Sequence, residues 1–197
     1  MREAESLWIF AYGSLIWRPG FDFRERRRAV MYGWRRRLCI YSWAYRGTRE
    51  KPGLVFGLDR GGACVGVAYQ AVPGEEEATL AYLRERELVT YSYFEKNLPV
   101  RLDDRRRVTA LAYVADPAHE QYAGALDFEG RLALVRSAEG RMGRNLDYVL
   151  STRTELRNLG IVDQDLERIA ERLAPEWTDQ VKSAITARRS SGVSASK

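Results

Sequence analysis

Glycine and proline divide the first 115 residues into short runs rich in aromatic and β-branched side chains, and this division most limits the folds open to the chain. Residues 7–12 (LWIFAY) are almost continuously apolar and end at Gly13-Ser14, which predicts a buried strand followed by a tight turn. Residues 29–45 alternate roughly, which predicts one long bent strand or two strands with Gly33 as a possible bulge. Residues 53–72 predict a hairpin that turns at residues 59–62, and residues 98–104 and 106–115 predict two more strands.

The remaining segments have helical patterns. Residues 75–88 begin with acids and continue with spaced leucines, which predicts a helix ending near Leu88. Three more helices are expected at 128–138, 145–159 and 163–173, with Asn145 as an N-cap and Gly160 as a C-cap. We therefore predict an α+β fold in one domain, residues 1–189, followed by a polar, disordered tail at 190–197.

The net charge and the hydropathy of the chain limit the kinds of partner that we expect it to bind. The 197 residues carry a formal charge of +5, which suits an anionic small molecule and would also suit nucleic acid. The arginine runs 26–28 and 35–37 are expected to be a solvated face, because no aromatic-basic RNA motif accompanies them. No apolar run approaches the roughly 18 residues of a membrane helix, so we expect no membrane partner.

Cysteine and histidine are scarce, which restricts the chemistry. Cys39 and Cys64 lie in predicted strands as core thiols, and with no signal peptide in view they indicate a reducing cytoplasm. His119 is the single histidine, so a zinc site and histidine-dependent nucleophilic catalysis are poor hypotheses. Acid–base chemistry is then expected to fall on carboxylates and tyrosines.

Several candidates for that chemistry are visible, each with a plain structural alternative. The turn Tyr12-Gly13-Ser14-Leu15 could direct backbone N–H groups at a carboxylate or an oxyanion, or be a simple strand exit. A helix-end carboxylate could act as a base, or belong to a solvated charged face. The candidates of this kind are Glu85, Glu87 and Glu95, and the candidate phenol donors are Tyr12, Tyr91, Tyr93, Tyr122 and Tyr148.

The order of the segments carries more information than any one of them. They are WIFAYGSLIWRPGF, YRGTREKPGLVFGLD, GGACVGVAY, AYLRERELVT, ALAYVADPAHEQYAG and GRNLDYVLSTRTELRNLGI. In this order the chain, from about residue 8 to residue 173, resembles the ChaC-type gamma-glutamylcyclotransferases, which act on glutathione. The resemblance implies a small mixed β-barrel with flanking helices and a reaction that needs no metal or cofactor.

The resemblance also implies roles for particular residues. The catalytic carboxylate of the family maps onto Glu87, and its YGSL turn, which binds the gamma-glutamyl part, maps onto residues 12–15. Tyr148 lies in the late motif, and Tyr93 matches a Thr-Gly-x-Tyr of bacterial relatives, where this chain has Tyr91 in place of glycine. This chain also has Arg84 where relatives often carry tryptophan.

The implied reaction is an intramolecular aminolysis that converts glutathione to 5-oxoproline and Cys-Gly. Two alternatives remain open at this point. One is a cyclotransferase for other gamma-glutamyl amines or amino acids, and the other is a non-catalytic basic binding module.

Overall fold

A computed structural model of the chain describes residues 6–124 and 126–173. Within them, strands and helices are mixed as the α+β prediction requires. The elements are β1 (Trp8–Ala11), a 3₁₀ turn (Ser14–Ile16), β2 (Phe23–Ser42), β3 (Gly53–Ala71), α1 (Glu76–Glu87), β4 (Tyr93–Leu102), β5 (Arg107–Ala115), α2 (Phe128–Ser137), β6 (Glu139–Gly140), β7 (Gly143–Arg144), α3 (Asn145–Asn158) and α4 (residues 164–173). The tail predicted at 190–197 lies outside the described residues.

The five strands β1 to β5 close into a barrel, so the small mixed β-barrel is confirmed. Its strand order is β1-β3-β2-β4-β5, with antiparallel neighbours except where β5 runs parallel to β1 and meets β3 at Leu58 and Val114. Closure leaves few strand edges exposed, and alternate side chains point inward to form the core. Ile9, Met31 and Tyr113 are among the side chains that this core buries almost completely.

The hairpin predicted within residues 53–72 is wrong. β3 continues through that segment and pairs with β2 along its length, so the reversal lies between the two long strands, at residues 43–52. Gly61 and Gly62 have positive φ angles of 101° and 66° and lie opposite Gly33, whose φ is 80°. Two residues of β3 therefore face one of β2, which is a bulge. The glycines bend the strand at the bulge that Gly33 suggested, and the chain does not reverse there.

The predicted helices are confirmed, with ends that shift by about one residue. Asp127 caps α2 by accepting a hydrogen bond from the Gly130 N–H at 2.7 Å. Gly160 follows α3 with φ +67°, and the Ile161 N–H bonds back to the Leu156 carbonyl at 2.8 Å, so the expected glycine cap is present. No helix among the described residues is long and apolar enough to span a membrane.

Arg36 departs from the solvated face expected for its run. Its side chain is only 3% exposed and donates to the carbonyls of Tyr12 and Val65 and to the Asp163 carboxylate at 2.9 Å. It therefore joins β2 to the exit of β1 and to the start of α4. A charged residue in an arginine run gives no sequence signal that it is buried, because its three acceptors come from distant parts of the chain.

Candidate active site

A cavity of about 390 Å³ opens beside the first part of β3, where that strand has β2 on one side and no strand on the other. The volume falls in the range of small-molecule sites, about 300–1,000 Å³. The structure brings into its wall the seven residues to which the resemblance assigned roles: Tyr12, Gly13, Ser14, Leu15, Glu87, Tyr93 and Tyr148. Tyr91 and Tyr122, the other candidate phenol donors, do not line it.

The turn at residues 12–15 leaves β1 and forms one wall. The Tyr12 hydroxyl donates to the Tyr113 carbonyl at 2.7 Å, which fixes the start of the turn in the core. A Cβ atom added at Gly13 would lie 3.5 Å from the Tyr148 hydroxyl oxygen, so glycine keeps this part of the cavity open. Ser14 and Leu15 begin the 3₁₀ turn, and the first amides of a helix have no partner inside it.

Glu87 reaches the cavity because of its place on α1. It lies one turn after Leu83, which is completely buried, so both side chains face the barrel. The Glu87 side chain is 20% exposed, through the cavity, and the protein around it excludes most water. This burial raises the pKa of Glu87, and the Arg86 guanidinium, whose Nε lies 3.1 Å from Oε1, opposes the rise only in part.

The two neighbouring carboxylates have other roles. Glu85 is exposed on another face of α1. Glu95 accepts hydrogen bonds from Nε of Arg84 at 2.9 Å and from Nη2 at 3.0 Å, and these bonds lower its pKa. Arg84, which departs from the family pattern, is thus part of a surface ion pair outside the cavity. Of the three candidates, only Glu87 lines the cavity.

Arg86 fixes Glu87 relative to the turn. Its guanidinium donates to the Ser14 hydroxyl at 2.9 Å, to the Arg18 carbonyl at 2.6 Å and to the Tyr82 hydroxyl at 3.0 Å. Tyr82 in turn packs against Gly20, where an added Cβ would lie only 1.9 Å from its hydroxyl oxygen. The end of α1 and residues 14–20 are therefore held as one unit.

Three tyrosine hydroxyls meet around the cavity, and they differ in which of them can still donate. Tyr12 donates to the Tyr113 carbonyl, and Tyr93 donates to the Phe56 carbonyl at 2.9 Å. Tyr148 instead accepts from the Phe56 N–H at 3.2 Å, so its own proton remains available to a ligand. Burial raises the pKa of all three phenols, which keeps them neutral donors at pH 7.

Asn145 is not the helix N-cap that we predicted, because Arg144 occupies that position. The Asn145 side chain is fully buried and bonds the Leu54 backbone twice, accepting from its N–H and donating to its carbonyl, each at 2.7 Å. With the hydroxyls of Tyr93 and Tyr148 at Phe56, it satisfies the backbone of β3 where no strand is present. Side chains thus complete this edge of β3 and leave room for the cavity.

Tyr91, where the resemblance led us to expect glycine, has a backbone conformation that favours glycine. Its φ is +56°, in the left-handed region, and 74% of the residue is exposed. Tyr91 does not line the cavity, whereas Tyr93 does. The Tyr91 side chain therefore lies on the outside of this turn and is not part of the cavity wall.

Sequence reasoning missed the wall formed by residues 41–46, Gln121 and Met142. The one available signal was Arg46 in the YRGTREKPG segment, but no pattern related it to Gln121 or Met142. As for metals, no three His, Cys, Asp or Glu side chains of residues 6–124 and 126–173 are grouped so that they could hold an ion.

Comparison with known proteins identifies the family of this chain. A family model described as ChaC-like protein matches residues 7–175. A glutathione-specific gamma-glutamylcyclotransferase of Escherichia coli (strain K12) is 36% identical over 160 residues, which cover 81% of this chain and 69% of that protein. Glutathione-specific gamma-glutamylcyclotransferase 1 of Mus musculus is 35% identical over 167 residues, 83% of this chain and 75% of that protein.

A solved structure shares the fold. The crystal structure of the yeast gamma-glutamyl cyclotransferase specific to glutathione superposes with a TM-score of 0.80, at 20% identity, covering 87% of this chain and 97% of that one. The match of the family model over most of the chain and the identity to the two curated relatives establish the relationship: the chain belongs to the ChaC-like family.

Proposed function

We propose that this protein is a glutathione-specific gamma-glutamylcyclotransferase, a cyclising lyase that converts glutathione to 5-oxoproline and Cys-Gly. The observation that carries the proposal is Glu87, a carboxylate with a raised pKa that faces a small-molecule cavity opposite the 12–15 turn. The names of the curated relatives support the same substrate. The buried, free thiols of Cys39 and Cys64 suit the reducing cytoplasm in which glutathione is abundant as a thiol.

The reaction needs a neutral amine. The α-amino nitrogen of the gamma-glutamyl residue attacks the carbon of its own side-chain amide, a five-membered ring closes, and the bond to the cysteine nitrogen breaks. An α-amino group titrates near about 7.7–8.0, so most of it is protonated at neutral pH. The attacking nitrogen loses two protons in all, one before the attack and one on ring closure, and the departing nitrogen gains two and leaves as an ammonium group. Glu87 carries protons from the one nitrogen to the other, and its raised pKa brings it closer to the amine that it must deprotonate.

Negative charge develops on the oxygen of the attacked carbonyl, and hydrogen-bond donors must stabilise it. Tyr148 has the available phenol proton, and its hydroxyl lies beside Gly13, so we assign it to the oxygen of the attacked carbonyl. The amides of the 12–15 turn then hold the α-carboxylate of the gamma-glutamyl part. Tyr93 positions this arrangement through the Phe56 carbonyl.

Positioning supplies much of the remaining acceleration. Well-oriented intramolecular reactions reach effective molarities of about 10⁵–10⁸ M, and here both reacting groups belong to one molecule. The cavity must hold the glutamyl chain curled, so that the amine approaches the amide carbon. The contacts of Arg86, which fix α1 to the turn, preserve the distance between base and binding site. No step requires a metal or a redox cofactor.

The proposal is tested by incubating the purified protein with glutathione and following 5-oxoproline and Cys-Gly by mass spectrometry. Gamma-Glu-Ala is run in parallel as a substrate with a different leaving amine. We expect equal amounts of both products from glutathione. Turnover of gamma-Glu-Ala but not of glutathione would support the cyclisation reaction and show that glutathione is not the substrate. If folded protein turns over neither compound, the proposed enzymatic activity is refuted and the non-catalytic binding module is favoured.

A further inference from the structure

The cavity wall has more positively than negatively charged side chains, and this excess is relevant to how the leaving group of the substrate is bound. Three arginines line the cavity, Arg18, Arg46 and Arg86, against the single carboxylate of Glu87. Arg86 is already occupied by Ser14, Tyr82 and two loop carbonyls. The cavity therefore has more positive charge than is needed to neutralise the carboxylate of Glu87.

Arg46 is a partly buried cation, and the carboxylate that acts on it, Asp147, is not within ion-pairing distance. Its Nη1 donates to the Met142 carbonyl at 2.6 Å, which aims the guanidinium, and its carbon lies 5.3 Å from the centre of the Tyr148 ring. Within the part of the chain that the structure describes, it forms no ion pair, and Nε and Nη2 have no acceptor. Burial lowers its pKa, and its interactions with Tyr148 and the Asp147 carboxylate offset that effect only in part. Such donors fit the planar fork of a carboxylate.

The position of Arg46 separates it from the reacting end. The Tyr148 hydroxyl lies at the 12–15 turn, whereas Arg46 covers the face of the same ring. Arg46 follows β2 and is anchored to the segment before α3, and its backbone N–H donates to the Ser42 hydroxyl at 3.0 Å. None of its hydrogen bonds reaches Glu87 or the turn, so a group bound by Arg46 lies away from the base.

The same wall contains an unsatisfied acceptor. Gln121 is 3% exposed, and its Nε2 donates to the Tyr41 carbonyl at 2.7 Å, which fixes the amide orientation. Oε1 has no hydrogen-bond partner among the described residues, although buried polar atoms normally have one. A cation and an acceptor together match a leaving group that carries a carboxylate and an amide N–H.

We propose that Arg46 is a specificity-determining residue that binds the C-terminal carboxylate of the leaving peptide. The inference rests on the proposed function, since it identifies the other end of the same substrate. It selects gamma-glutamyl peptides that end in a free carboxylate over gamma-glutamyl amines, which lack one. The Cys-Gly of glutathione has this carboxylate and, in addition, an amide N–H for Gln121.

The test compares glutathione with its C-terminal carboxamide, in which a neutral amide of similar size replaces the carboxylate at the far end. For the wild type we expect kcat/KM to be about 10- to 100-fold higher for the acid, as a hydrogen-bonded charge contributes. Arg46→Gln should bring this acid-to-amide ratio close to one, and Arg46→Lys should restore part of it. Arg49→Gln, from the same loop but outside the cavity, should leave the ratio unchanged.

Several results would overturn the inference. A wild-type ratio near one would do so even if no Arg46 variant folds. An equal loss on both substrates in Arg46→Gln would make Arg46 a structural residue, and collapse of the ratio in Arg18→Gln alone would move the carboxylate to Arg18. A wild type inactive on both substrates would instead refute the proposed function, so the two failures are distinguishable.

Discussion

The buried carboxamide of Asn145 gives a quantitative test of how the free edge of β3 is completed. As a helix N-cap, which the sequence suggested, Asn145 could be replaced by serine at almost no cost, because serine caps about as well. The structure instead has it bonding both the N–H and the carbonyl of Leu54, at 2.7 Å each, in a fully buried position. Serine is too short to replace both bonds.

The expected cost follows from these two groups. An unsatisfied buried donor or acceptor costs about 1–3 kcal/mol, so Asn145→Ser should lower the free energy of unfolding by roughly 2–6 kcal/mol. At about 2–4 °C per kcal/mol for a chain of this size, Tm should fall by roughly 4–24 °C. Thermal unfolding followed by circular dichroism, supported by urea denaturation, measures both quantities.

The chain offers a matched control at a true cap. Asp127 accepts from the Gly130 N–H at the start of α2, so Asp127→Ser should change stability little, while Asp127→Ala should cost about 1 kcal/mol. If Asn145→Ser is as mild as Asp127→Ser, the reasoning about the edge of β3 is wrong. Loss of stability in Asn145→Ser alone would support it.

Three further predictions concern residues in or near the cavity. Because burial raises the pKa of Glu87, the folded state binds its proton more tightly than the unfolded state, and the wild type loses stability as pH rises above about 4.3. Glu87→Gln should thus melt higher than the wild type at pH 8, with a margin that shrinks toward pH 4; a constant margin in thermal scans would contradict this. Tyr91→Gly should raise Tm by about 1–4 °C, since relief of about 1–2 kcal/mol at φ +56° exceeds the entropic cost of glycine, about 0.5–1 kcal/mol, and a lower Tm would contradict it. Tyr148→Phe should lower kcat about 10²–10³-fold and Tyr93→Phe less, and steady-state kinetics with the reverse order would reject the assignment of the oxyanion donor.

Local patterns were sufficient for much of the fold. The helices and the cap at Gly160 depend on neighbours within a few residues, and they appear where periodicity and capping predict them. The prediction of a chain reversal at Gly61-Gly62 was wrong, because glycines adopt positive φ angles both in turns and in bulges. Only pairing with β2, whose Gly33 lies opposite, determines which one forms.

In the site, too, some residues could be predicted from local motifs and others could not. The turn at 12–15, Glu87, Tyr93 and Tyr148 could be selected from motifs, and the structure places them around one cavity, although their roles remain proposals. Arg36, Arg46, Gln121 and the true role of Asn145 were not predictable, because each depends on partners about 30 to 130 residues away. A buried arginine and an exposed one have the same appearance in a sequence until those partners are known.

The central claim is that Glu87, and not the nearby Glu85 on the same helix, transfers the proton. The most direct measurement is the rate of 5-oxoproline formation from glutathione by Glu87→Gln and, as the matched control, by Glu85→Gln, which alters an exposed side chain two residues away. We expect Glu87→Gln to remain folded and lose about 10²–10⁴-fold in kcat, with Glu85→Gln close to the wild type. Near-normal turnover by folded Glu87→Gln would contradict the account.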